Sequence, residues 1–230
     1  MTSIVDGIEQ ASDAVAAEVV RRFEATESPG MTADDPKLDA AGIIAALGRA
    51  GLGPDGSDGP PLIQGHPPRL QLARSLGAGP LETLIVAPAG GRPALLALSA
   101  GLLQIFDLWD ASHAAAQEAD DLGDRATAAY WHMIAHRREP DPGNAHYWAR
   151  RVAGHPTAPA IADAARPLLE AHGDPALARL LIPDGRWSPA ALIDLATRAR
   201  PNSPATSLAR RLQRLEMAAL LDASFRQCVE

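Results

Sequence analysis

The chain has 230 residues, 47% of them hydrophobic but only 4% aromatic, and a formal net charge of −7. Ala and Leu supply most of the apolar mass, which favours packed helices over sheets rich in β-branched and aromatic residues. An acidic chain whose only lysine is Lys37 lacks the basic stripe of a nucleic-acid protein, and a single cysteine, Cys228, excludes an intrachain disulfide and a thiolate-rich metal site.

The length suits one core with a small N-terminal appendage. Asp6 and Glu9 stand where a secretory signal would need a basic start, and no run approaches the ~20 apolar residues of a membrane span, so a cytoplasmic location is expected. Ile4, Ile8, Ala11, Val15, Val19 and Phe23 recur every three or four residues and predict one amphipathic helix over 3–26, ended by Pro29 and Gly30. A second short helix fits 37–51. The Gly/Pro-dense stretch 53–68 sustains neither helix nor strand and reads as an exposed linker or lid between N-terminal helices at 1–52 and a main helical domain at 69–230.

Within that domain the apolar run 81–86 fits a strand or a helix end equally. The pattern over 92–120 is helical with a break near Gly101, followed by a turn at 121–124 and a helix stopped at Glu139 by Pro140. Asp141 as N-cap and Pro142 at the first helical position open the next helix, which Gly154 and Pro156 close. Helices over 158–172, 188–198 and 204–227 complete an all-α, irregular helical bundle with short connections.

Five of the seven histidines (His113, His132, His136, His146, His155), three of the four tryptophans (Trp109, Trp131, Trp148) and both tyrosines fall within 107–156. At ~100° per residue, His132, His136 and Glu139 share one helix face, while Tyr130, Met133 and Ile134 occupy the other. Asn144, Tyr147, Trp148 and Arg151 share a face of the next helix, and Asp110 and His113 a face of the preceding one. Imidazole and carboxylate groups suit proton transfer, and a guanidinium can hold an oxyanion. The expected catalytic set is therefore His132, His136, Glu139, Asp110 and His113. Arg151, Asn144, Tyr147, Trp148, Trp131, Tyr130, Arg137 and Arg138 form the substrate-binding set for an anionic small molecule, free or carried on a protein.

The projection turns Arg137 and Arg138 away from His132, and one member of each Arg pair is expected in solvent, with Arg150 the surface residue of the second pair. No Walker loop, dinucleotide glycine pattern or serine elbow is present, so no cofactor is expected. Two bland readings compete: a hydrogen-bonded structural network, and a non-catalytic scaffold whose Tyr, Trp and Arg anchor a partner protein or second subunit. A third is a metal protein, with His132 and His136 at i,i+4 and Asp110, His113 or Glu139 as further ligands. That spacing is common by chance, so no metal ligand is assigned from sequence.

The words Tyr130-Trp131-His132-x-Ile134-x-His136-Arg137-Arg138-Glu139, Asn144-Ala145-x-Tyr147-Trp148-x-Arg150-Arg151-Val152 and His155-Pro156 resemble the signature of a family of uncharacterised bacterial helical proteins. Trp109-Asp110-x-Ser112-His113, Trp187-Ser188-Pro189 and Arg211-x-Gln213-x-x-Glu216 belong to the same likeness, which covers about 101–222. It implies a helical fold and no particular chemistry. In the groups it offers, the chain is also similar to helical enzymes of actinobacterial secondary metabolism that close an aziridine ring by expelling sulfate, a likeness carried by no residue motif. It implies a base at His132 or His136 with Glu139 or Asp110, and sulfate held by Arg137, Arg138, Arg150 or Arg151.

Overall fold

Four helices begin at an Asp or Ser directly followed by proline, where the side chain satisfies an orphan backbone N–H and the pyrrolidine ring presets the first helical φ. Asp141 accepts from the Asn144 amide at 2.9 Å, Asp174 from Ala176 and Leu177 at 3.0 Å, Ser188 from Ala191 at 3.3 Å and Ser203 from Thr206 at 3.2 Å. The structure, a computed structural model, describes residues 3–25, 38–65 and 69–230. Its helices are α1 (Ile4–Gln10), α2 (Asp13–Ala25), α3 (Ala40–Leu52), α4 (Leu70–Ser75), α5 (Ala78–Leu84), α6 (Gly91–Ile105) and α7 (Trp109–Asp121). There follow α8 (Thr127–Arg138), α9 (Pro142–Arg151), α10 (Ala158–His172), α11 (Pro175–Leu181), α12 (Pro189–Arg198) and α13 (Pro204–Val229). The fold is all-α, and the described residues contain no strand.

Two helices make the centre. Helix α6 is buried from Ala94 to Ile105, and the long α13 lies against it. Helices α1, α3, α8, α10 and α12 all pack on α13, and α3, α5, α7 and α8 on α6. Small residues let α3 approach closely: a Cβ at Gly48 would lie 2.7 Å from Ile8 Cδ1, and one at Gly51 would lie 2.6 Å from Ile105 Cγ1. Among the described residues, no helix is long and apolar enough to cross a membrane.

Several sequence expectations change. The helix expected over 3–26 is two helices, because Ser12 restarts the chain: its hydroxyl accepts from the Val15 amide at 3.2 Å and its carbonyl from Ala16 at 3.0 Å. The ambiguous run 81–86 is the end of α5, with Ile85 as its C-cap. The break expected near Gly101 falls instead at 106–108, where Asp107 adopts φ +63. Helices α4 and α11 went unread. Pro29, Gly30, Lys37 and residues 66–68 lie outside the described residues.

Within the stretch read as an exposed linker or lid, residues 53–65 are held to the helices by side chains. Proline has no N–H and leaves carbonyls outside any ladder, and here those carbonyls accept from long side chains. Gly53 O accepts from Arg214 at 3.0 Å, Gly59 O from Arg210 at 2.6 Å, Pro60 O from Gln213 at 3.2 Å and Pro61 O from Arg138 at 3.0 Å. The segment is a strap tied to α13 and to the end of α8.

Gly101 is there for contact. A Cβ on it would sit 2.6 Å from Trp131 Cζ2, and the indole cannot retreat because its Nε1 donates to Ser224 Oγ at 2.9 Å. Gly101→Ala is expected to destabilise by about 1–3 kcal/mol despite its better helix propensity. Gly143→Ala, at an exposed position in the first turn of α9 where the nearest atom to the new Cβ is Asp141 Oδ1 at 3.4 Å, should be neutral or stabilising by up to about 1 kcal/mol. Urea unfolding of both variants checks the pair, and equal effects would remove the steric account.

Candidate functional site

Helices α7 and α8 form a hairpin whose turn is fixed by Asp124, which accepts from the Ala126 and Thr127 amides at 3.2 and 3.0 Å. At the other end of the hairpin, Trp109 Nε1 donates to Ala135 O at 2.8 Å. One turn along α7, His113 stacks on Trp109 with ring centroids 4.9 Å apart. On α8, His132 and His136 are likewise one turn apart and stacked at 4.9 Å. Trp148 of α9 covers the outer face of His132 at 3.9 Å.

The three imidazoles converge. His113 Nε2 and His132 Nε2 are 2.8 Å apart, and one nitrogen from each of His113, His132 and His136 lies within 4.8 Å of the others. His136 Nδ1 is 2.8 Å from Glu139 Oε2, so the carboxylate accepts the Nδ1 proton and leaves Nε2 with its lone pair. The side-chain amide of Asn144, assigned with nitrogen outward, ends 3.1 Å from that Nε2. Each ring is thus positioned by something other than its fellow histidines: Trp109 for His113, Trp148 for His132, Glu139 and Asn144 for His136.

Burial keeps His132 and His113 neutral. His132 is 2% exposed, and burial together with its neighbours His113, His136 and Arg151 pushes its pKa down to about 3. His113 is also lowered, first by burial and then by His136, with Glu139 and Asp110 partly offsetting. His132 Nδ1 is buried without a hydrogen-bond partner among the described residues. Imidazoles that point ring nitrogens at one another, two of them held neutral by burial, are good ligands and indifferent structural glue.

Of the expected residues, His113, His132, His136, Glu139, Asn144 and Trp148 meet here. Asp110 stands exposed near His113 and acts on it through charge alone. Tyr147 is 50% exposed and touches Trp148 edge-on, so it is no buried wall. Trp131 packs on Gly101 in the core, and Tyr130 donates to Glu216 at 3.0 Å on the far side of α8.

The arginines are corrected most. Both Arg137 and Arg138 are buried, where one of the two was expected in solvent. Arg137 lies 2.7 Å from Glu216 and Arg138 2.7 Å from Asp107, with further carbonyls of Pro61 and Gln104 around Arg138. Arg151 holds Asp120 at 2.9 Å and lies over the Trp148 ring. Trp109 is the residue the sequence reading left out of the site. Its signal was the spacing of four from His113, which puts both rings on one face of α7.

The lowered histidines have a measurable consequence. Because their folded-state pKa values lie below 6.5, the unfolded chain binds more protons than the folded one between those values and 6.5. Stability is therefore retained above 6.5 and lost as pH falls into that window, at up to about 1.4 kcal/mol per pH unit for each group. Urea unfolding of metal-free protein at pH 7 and pH 5 should show this loss, and His132→Gln should show less of it; an undiminished loss in the variant would place the acid sensitivity elsewhere. Comparison with protein-family models, with curated proteins and with solved structures finds no match, so the chemistry of the site rests on its own atoms.

Proposed function

We propose that this protein binds a divalent transition-metal ion, zinc foremost, through His113, His132 and His136. The observation that carries the reading is the convergence of three ring nitrogens from two helices within 4.8 Å of one another. Tetrahedral zinc with bonds of about 2.0–2.1 Å holds its ligand nitrogens about 3.3 Å apart, a spacing these rings reach with small rotations. Glu139 supports the reading independently, since a carboxylate on the remote nitrogen is how a metal-ligating histidine is oriented. An all-imidazole set suits zinc, copper, iron or nickel over magnesium or calcium.

The fourth position would be taken by water or by Asn144, whose amide turned over would present oxygen at 3.1 Å from His136 Nε2. His113 is half-buried and Glu139 exposed, so one side of the centre faces solvent. That exposure favours a metal reachable by small molecules over a sealed structural ion. Such an ion supplies a Lewis acid and lowers the pKa of bound water.

The anion-binding reading, with ring closure by loss of sulfate or phosphate, needs a free guanidinium beside the histidines. Arg137, Arg138 and Arg151 each have a carboxylate partner instead, which favours the metal reading over it.

Titration of chelator-treated protein with zinc, followed by calorimetry, and with cobalt, followed by visible absorption, tests the proposal. One equivalent of metal should bind. Glu139→Gln should weaken zinc by about tenfold or more, as removal of a supporting carboxylate does, and His132→Gln should weaken it further. At a hundredfold excess over the dissociation constant, zinc should stabilise the wild type by about 2.7 kcal/mol. Binding no tighter than that of a variant lacking all three histidines would overturn it.

A further inference from the structure

A second site lies on the opposite face of α8. Here α8, α9, α10 and the turn before α12 enclose a cavity of about 310 Å³, within the range of small-molecule sites. Its floor is Trp187, buried and pinned by its backbone N–H to Ala158 O at 3.1 Å and by its Nε1 to Glu216 Oε1 at 2.9 Å. The Tyr130 hydroxyl donates to that same oxygen at 3.0 Å, so a second aromatic wall is held by the same carboxylate. Val152, Ala149 and Pro189 add apolar surface.

Two polar donors face this space without being used up by the protein. His155, in the turn after α9, accepts at Nδ1 from both the Thr157 amide at 3.3 Å and the Thr157 hydroxyl at 2.7 Å. Burial lowers its pKa, with Asp124 partly offsetting, so the ring is neutral and its one proton sits on Nε2. That Nε2–H has no partner among the described residues. On the rim, Arg186 donates only to Gly154 O at 3.3 Å and has no carboxylate within ion-pair distance among the described residues. Its neighbour Asp184 also has no ion-pair partner among the described residues and holds φ +50, in the left-handed region that Asp tolerates.

We propose that this cavity binds a small carboxylic acid with an apolar body, its carboxylate held between Arg186 and the Nε2–H of His155 and its body on Trp187. Guanidinium and imidazole donors on one side of a rigid aromatic floor recognise a single carboxylate, and Asp184 on the rim disfavours a ligand with a second negative charge. An amino group beside the carboxylate would meet Asp184, which makes apolar amino acids the zwitterionic version of the same ligand. The site is independent of the metal centre, whose histidines lie on the other face of α8.

Calorimetric titration of the full chain with 3-phenylpropanoate, 3-phenylpropanamide and L-phenylalanine tests this, in the presence of a chelator so that carboxylate binding to a metal plays no part. The expected result is saturable 1:1 binding of the acid or of the amino acid. Arg186→Ala, at an exposed position where folding is not at stake, should weaken the acid by about tenfold while leaving the amide nearly unchanged. His155→Gln should weaken both wherever its melting temperature shows it folded. His132→Gln should bind as the wild type does, so failure of the metal proposal would leave this one standing. No saturable binding of any probe, equal binding of acid and amide, or full retention in Arg186→Ala would overturn it.

Discussion

Helix α8 is buried along its whole length, from Thr127 to Arg138, yet it carries two histidines and two arginines. A helix hidden on every side is ordinarily apolar all round. Here each polar group must find a partner away from water, and much of the surrounding structure consists of those partners. Glu216, itself wholly buried on α13, lies against Arg137 and accepts from Tyr130 and Trp187, so one carboxylate ties α8, α13 and the turn before α12. Asp107, held at φ +63, meets Arg138 and also accepts from the Gly65 amide at 2.9 Å. Arg138 stays protonated: burial brings its pKa down to about 10, and Asp107 opposes the fall.

The partners are shared out unequally along the helix. Arg138 receives a carboxylate and two carbonyls and Arg137 a carboxylate and an amide oxygen, although Arg137 Nε and Nη1 are left without partners among the described residues, whereas His132 receives the Nε2 of His113 and a tryptophan face. The nitrogens that His113, His132 and His136 turn toward one another are the ones a single ion would satisfy together. On the metal reading proposed above, the arginine side of α8 is structural and the histidine side supplies ligands.

How far this was legible follows the range of each interaction. Caps are local, so Asp141, Ser188 and the boundaries of α10 could be read directly, as could the shared face of His132, His136 and Glu139. The Ala11–Ser12 break could not, because the apolar spacing runs through it and only the Ser12 hydroxyl marks it. Gly101 looked like a helix breaker, since nothing local shows that Trp131 lies on it. The arginines were misread for the same reason: Glu216 and Asp107 sit on other elements, and a guanidinium with a distant partner has the same letter as a free one. His113 could be named from sequence only as one of three candidate partners of the i,i+4 pair, because the α7–α8 hairpin that brings it to His132 and His136 is not a local feature.

The placement of both proposed sites on α8 has a physical consequence of its own. Tyr130 faces the carboxylate cavity and His132 the metal centre, while α9 contributes Ala149 and Val152 to the first and Asn144 and Trp148 to the second. Proximity through shared helices is not coupling; coupling needs an element with two arrangements that both ligands bias. Helix α8 is held by Glu216 on one side, by Asp107 and the strap at its end, and by Trp109 through Ala135 O on the other. A helix fixed from so many directions has little room for a second arrangement. The same partners that its buried charges require therefore make α8 a rigid wall between the two proposed sites, so that a ligand in one would not be felt in the other.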